Sequence, residues 1–385
     1  MDNLKFELTN EDRKYLGLEP VQDNWERVKL SDTTYLYFEG NTIKKYIYIS
    51  NDDYYLEAKM DYETTENRTI LLPKTDRGNP KKITPSLIEN KDRIGIYFAL
   101  CNENVLIGNY TTQKMYYSTY RQEMKIKNFP ELRIWLNKWI TETTEEDLSD
   151  IKRFAMEERV KVNYKEGDFF RFKFDRKNYG YGRIIWDVDK YKKSGKPFWN
   201  ILMGHPLLIN IYHIITDNKN MEIKELKKLK TIPSQYILRD IFYYGECEII
   251  GNKPLEEHEK DYPIMYGKGI SGMNEKSIYL QIGPKIHKKL DSRKYLLIAD
   301  GFNFGSIGYE LNITKELLEK CIKENSNIPY WNSKKTKAYK DLRSPEYENI
   351  REKVFKQCDI KPKQIFLWIC KLKMKMVCWK QHTIS

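Results

Sequence analysis

The chain is poor in the residues that reactive chemistry draws on. Its 385 residues include six cysteines and five histidines. Cys101, Cys247, Cys321, Cys358, Cys370 and Cys378 have no closely spaced pair, so reduced thiols are expected rather than a disulfide scaffold. The C-terminal Cys358, Cys370, Cys378 and His382 lack the CxxC knuckle of a structural zinc site. His205, His213, His258, His287 and His382 form neither HxH nor HExxH, which leaves a metal-dependent hydrolase short of ligands. No GxxxxGK[ST] loop and no GxSxG elbow occurs. GKGISG at 267–272 has dinucleotide-loop spacing, but SIYLQI follows as a strand pattern. A pyrophosphate needs a helix N-terminus at that place. No catalytic residue, cofactor site or metal site is therefore assigned. No apolar run is long enough to span a bilayer. The opening MDNLKFELTNEDRKYLGL has no basic region followed by an apolar one, so a cytoplasmic location is expected.

Charge is abundant, and it is uneven. The formal net charge is +12. Residues 1–150 hold 21 bases and 26 acids, whereas residues 151–385 hold 46 bases and 29 acids. A mildly acidic half is joined to a basic half. The basic half could attract nucleic acid, an acidic protein or a membrane surface.

Periodicity divides the chain further. TTYLYFEGNTIKKYIYIS, DYYLEAKMDYE, DRIGIYFAL and ENVLIGNY alternate with period two and are rich in β-branched and aromatic residues, the pattern of antiparallel strands. Glu39-Gly40-Asn41 is a hairpin turn between two of them. DRGNPKKITPSLI reads as a loop. The period then changes to that of a helix, with Leu132, Trp135, Leu136 and Trp139 on one face. Thr144 is placed to cap a second helix whose first turn is acidic. The second region continues with PLLINIYHII, a helix at MEIKELKKL, and further short strands. Thr314 is the N-cap expected for TKELLEKCIKE. FLWICKLKMKMVCWK fits an edge strand guarded by lysines, or a tail. The expected architecture is α+β: an antiparallel meander closed by helices over 1–158, a small bent-sheet or barrel-like domain over 159–312, and a basic helical or irregular extension over 313–385.

YKEGDFFRFKFDRKNYGYGRII, residues 164–185, is the most informative stretch. Its alternation puts Phe170, Phe172 and Phe174 on one face, and Phe169, Arg171, Lys173 and Asp175 on the other. The phenylalanine face is expected in the core, with Arg and Lys outward. Gly167-Asp168 and Tyr179-Gly180-Tyr181-Gly182-Arg183 read as turn chemistry, with Asp168 a turn acceptor. Together with EDRKYLGLEPVQDNWERV, LYFEGNTIKKYI and ILLPKTDRGNPKKITP, this stretch resembles the immunity protein 26 family of bacterial polymorphic toxin systems. The resemblance covers residues 1 to about 300. Some members of that family carry a phosphotriesterase name.

The resemblance implies a protein that binds and occludes a cognate toxin. Contacts are expected at Arg171, Lys173, Tyr181 and Arg183 in the hairpin, and at Arg77, Lys81 and Lys82 in the first-region loop. The mobile-looking Lys190–Pro197 run is a further clamp candidate. The alternative is a nucleic-acid-binding regulator or defence protein, using the basic half. A metal-dependent phosphotriester hydrolase comes third.

Overall fold

The alternating stretches become antiparallel strands in two compact units. The computed structural model describes residues 4–198, 204–268, 277–291, 311–333 and 341–360. Unit 1 comprises Met1–Val162 with the short segments Lys173–Asn178 and Tyr243–Glu246; unit 2 holds the remainder. The FLWICKLKMKMVCWK reading falls outside the described residues.

In unit 1, helix α1 (Asn10–Leu16) precedes strands β1 (Trp25–Lys29), β2 (Thr34–Glu39), β3 (Thr42–Ser50) and β4 (Tyr54–Glu63). A two-stranded ribbon, β5 (Ile70–Leu71) and β6 (Lys81–Lys82), and helix α2 (Pro85–Glu89) interrupt the meander. It resumes with β7 (Ile94–Cys101), β8 (Asn104–Asn109) and β9 (Lys114–Ser118). The sheet order is β1-β2-β3-β4-β7-β8-β9, with antiparallel neighbours throughout. Gly40, at φ +56°, makes the turn between β2 and β3, a conformation cheap only for glycine.

Helices α3 (Phe129–Thr141) and α4 (Glu145–Ala155) close one face of this sheet. Asn128 caps α3, and Thr144 and Asp147 form a capping box at α4. Leu132, Trp135, Leu136 and Trp139 of α3 pack with Ile47, Tyr55, Phe98 and Ile107 of the sheet. Each such fully buried side chain contributes roughly 1.5–3 kcal/mol.

The 76–88 stretch is not only a loop. It folds into β6 and α2 because Ile83, Leu87 and Ile88 pack on the opposite sheet face with Leu36, Phe38, Ile43 and Met60. A two-residue strand and a five-residue helix are too short to show periodicity.

Unit 2 is built on β10 (Asp168–Lys173), β11 (Tyr179–Asp187), β12 (Pro206–Ile211), β13 (Gln235–Leu238) and β14 (Glu248–Asn252), in the order β13-β12-β11-β10-β14. Helix α5 (Val188–Lys193) follows β11. A second sheet orders β15 (Ile264–Lys268), β16 (Ser277–Ile282) and β17 (Ile286–Asp291) consecutively. Among the described residues none of the sheets closes into a barrel, and the arrangement is that of an α+β, β-rich fold.

The helix expected at MEIKELKKL shrinks to Ile223–Leu226, whose N-terminus has no side-chain cap. Thr314 does cap the helix Lys315–Lys323. Leu342, Val354, Cys358 and Ile360 pack into one core with Trp186, Leu208, Tyr266 and Leu280. Part of the basic C-terminal stretch is thus core-forming.

Candidate partner-binding surfaces

The glycines and charges of the 164–185 stretch are used inside unit 2. Gly167 has φ +85°, and a Cβ there would lie 2.3 Å from the Lys253 carbonyl oxygen. Asp168 accepts from the Lys165 backbone N–H and from the Asn252 amide, each at 2.7 Å. It is a turn acceptor. Gly182 is crowded by the Phe170 ring and the Asn210 carbonyl, at 2.3 and 2.4 Å from a hypothetical Cβ. This close approach lets β11 and β12 pair beside Phe170.

Arg183 is fully buried. It pairs with Glu259, donates to the carbonyls of Lys253 (2.6 Å) and Pro254 (3.1 Å), and stacks 4.3 Å from the Phe169 ring centre. Tyr181 is also buried and donates to the Asn218 carbonyl. Both residues were expected on a partner-facing surface, and the structure places both in the interior. The reason is that the second face of β10 is covered too. Phe169, Tyr179, Tyr181 and Tyr212 form a cluster there with Leu226. Alternation tells which residues share a face, but not whether that face meets water. Burial raises the Tyr212 hydroxyl well above its ordinary pKa.

Arg171, Lys173 and Arg176 are half-buried and paired, while Lys165 and Lys177 are exposed. Arg171 meets Glu248 at 2.5 Å and the Lys219 carbonyl. In unit 1, Lys173 pairs with Asp150 and lies 4.9 Å from the Tyr116 ring centre. Arg176 stacks 3.9 Å over Trp139 and donates to the Thr143 hydroxyl. Phe169, Phe170, Phe172 and Phe174 are at most 3% exposed. The hairpin phenylalanines therefore offer no platform for stacking bases.

Arg77, Lys81 and Lys82 present a different picture. Arg77 and Lys82 are exposed and Lys81 is half-buried. The loop turns at Gly78, with φ +77°. Its shape is held by Thr75, whose hydroxyl accepts from the Asn79 N–H at 2.9 Å. None of these three cations has a described carboxylate within 4.0 Å. Their charge is available to a partner.

The histidines do not converge. His205 and His213 flank β12. His205 pairs with Asp189 at 3.0 Å, and His213 Nε2 meets Asn327 Oδ1 at 2.8 Å. Among the described residues, no group of three His, Cys, Asp or Glu is placed to hold a metal ion. Gly267 and Lys268 end β15, and the remainder of GKGISG lies outside the described residues.

Sequence reasoning passed over a buried charge network in unit 1. Glu57 is fully buried and accepts from Arg13 Nε (2.8 Å) and Nη2 (3.1 Å), from Lys45, and from the Tyr55 hydroxyl (2.7 Å). Burial alone would raise the Glu57 pKa. Lys45 and Arg13 outweigh burial and hold the carboxyl below its ordinary value. Lys45 also donates to the Glu19 carbonyl at 2.6 Å and lines an open cleft of about 440 Å³ with Leu18, Ile94, Ile96 and Ala155. The signal was Lys45 and Glu57 placed inside otherwise apolar strand patterns.

With this geometry in place, one comparison with known proteins is positive. Residues 165–276 match the family model described as Immunity protein 26. The immunity protein 26 match begins one residue before Glu166, spans β10 to β15, and stops before β16. It covers the hairpin and its buried Arg183. No curated protein and no solved structure matches the chain.

Proposed function

We propose that the chain is a cytoplasmic immunity protein that binds and occludes a cognate toxin domain. The observation that carries this reading is the immunity protein 26 match over 165–276. The site chemistry is in keeping with it, since the described residues offer buried structural charges and an unpaired basic loop. No described helix is long and apolar enough to cross a membrane. Arg77, Lys81 and Lys82 are the first proposed contacts, with the solvent-facing sides of Arg171 and Lys173 as secondary ones.

The test is co-expression with a toxin domain encoded beside this gene, read by growth protection and co-elution in size-exclusion chromatography. The expected result is a stable complex, weakened when Arg77, Lys81 and Lys82 are all changed to Glu. Absence of any complex would remove the reading.

The excess of 46 bases over 29 acids in residues 151–385 favours nucleic-acid binding as a second reading. A gel-shift titration against salt separates the two. Little retention near physiological salt counts against the second.

A further inference from the structure

The two faces of the seven-stranded sheet are covered unequally. Helices α1, α3 and α4 supply side chains to one core. The other face is covered only in part, by β5, β6 and α2, with Leu71 and Ile88 buried there. Tyr48, Tyr54, Tyr97 and Leu106 on that face stay half-buried. Tyr48 and Tyr54 meet edge to face at 5.4 Å. Tyr97 lies over Gly108, where a Cβ would come within 2.7 Å of the ring, and it meets Tyr110 at 4.4 Å.

Arg93 sits among these rings. Its guanidinium is 4.5 Å from the Tyr46 ring centre and 5.9 Å from that of Tyr110. Nη2 donates to the Glu89 carbonyl at 3.1 Å, while the buried Nε has no partner. No described carboxylate lies within 4.0 Å of it. In the same unit, Arg13, Arg27, Arg68, Arg121, Arg133 and Arg176 each have one. A half-buried cation without a counter-ion is costly, and a carboxylate arriving from outside would relieve that cost. The guanidinium fork suits a carboxylate, and Tyr with Arg is the composition of interface hot spots.

We propose that the Arg93–tyrosine patch docks the protein partner by taking one acidic side chain from it. This rests on the proposed immunity function and names the surface used. The partner's stated chemistry is an acidic protein surface that supplies a carboxylate anchor. The unpaired cations on the same face argue for that occupant. Lys81 and Lys82 of β6, which covers part of this face, and Arg77 before them have no described carboxylate within 4.0 Å, so their field attracts an acidic surface.

The test uses the full chain and the toxin domain encoded beside its gene, titrated calorimetrically near physiological salt. Arg93→Ala is expected to weaken binding at least tenfold. Arg93→Lys, which keeps charge but loses the fork, is expected to fall between the two. Tyr48→Ala at the patch edge serves if Arg93→Ala does not fold. Hydrogen exchange in the complex is expected to slow along β3, β4, β7 and β8. A complex that all three variants form as tightly as the native chain overturns the docking site and leaves the immunity reading standing. No complex with the native chain overturns that reading, and the docking site with it. An Arg93-dependent shift of a single-stranded oligonucleotide overturns the carboxylate anchor in favour of nucleic acid.

Discussion

Arg183 and Arg93 each sit against aromatic rings, but their surroundings differ. Arg183, in the immunity protein 26 segment, meets Glu259, two carbonyls and Phe169, all within unit 2. Arg93, on the open face of the first sheet, meets tyrosines and one carbonyl, with no carboxylate beside it. The difference separates two uses of one residue type. A buried arginine with its acceptors supplied locally is part of the fold. A half-buried arginine without a counter-ion keeps an unmet electrostatic demand. The hairpin inside the immunity protein 26 match is therefore used for architecture. Recognition is better sought where charge is left over, at Arg93 and at the Arg77–Lys82 loop.

The largest expected loss comes from the network that serves as the internal standard for this comparison. Glu57→Ala leaves Arg13 and Lys45 buried around an empty acceptor position. Removing one partner of a buried ion pair costs about 3–5 kcal/mol. Urea denaturation is expected to show that loss, and a change below about 1 kcal/mol would mean that water already compensates the two cations. Next, Arg183→Ala is expected to lose about 3 kcal/mol by leaving Glu259 unpaired, whereas Arg93→Ala should lose no more than about 1 kcal/mol. Equal losses at the two positions would break the distinction between a structural and a recognition arginine. Gly182→Ala tests the same segment without touching charge. Its methyl group must displace the Phe170 ring and the β12 backbone, an overpacking cost of about 1–3 kcal/mol.

Much of the α+β architecture was legible because half-buried strands must alternate. TTYLYFEGNTIKKYIYIS gave β2, β3 and the Gly40 turn, and Thr144 and Thr314 marked helix starts through their capping chemistry. What stayed hidden depends on partners distant in sequence. Alternation grouped Phe169 with Arg171 and Lys173, but could not show that Tyr212 and Leu226 cover Phe169. The burial of Tyr181 and Arg183 follows from that same cover. Arg93 was not singled out, because a missing counter-ion is a property of the surroundings and not of the residue. Glu57 was readable in principle, as an acid set between apolar residues in the first half of β4 whose cross-strand neighbourhood includes Lys45.

The smallest expected effect is a pH dependence in unit 2, where a half-buried group should behave as part of the fold and not as a surface sensor. His213 is half-buried against Asn327, with Lys230 nearby. Burial first, and then the Lys230 charge, lower its pKa below the ordinary value, although the Asn327 contact opposes them. An unfolded chain takes up this proton near pH 6.5, while the native chain resists it. The native state then binds fewer protons, so stability falls as pH drops below about 6.5, until the native histidine also protonates. Above that range both states hold neutral histidine, and this group adds no slope. His213→Asn removes the titration while keeping a polar side chain beside Asn327. Urea midpoints at pH 7.5 and 5.5 should converge more closely in the variant than in the native chain. An unchanged acid slope would move the titration elsewhere, with His287 next in line because burial lowers its pKa too.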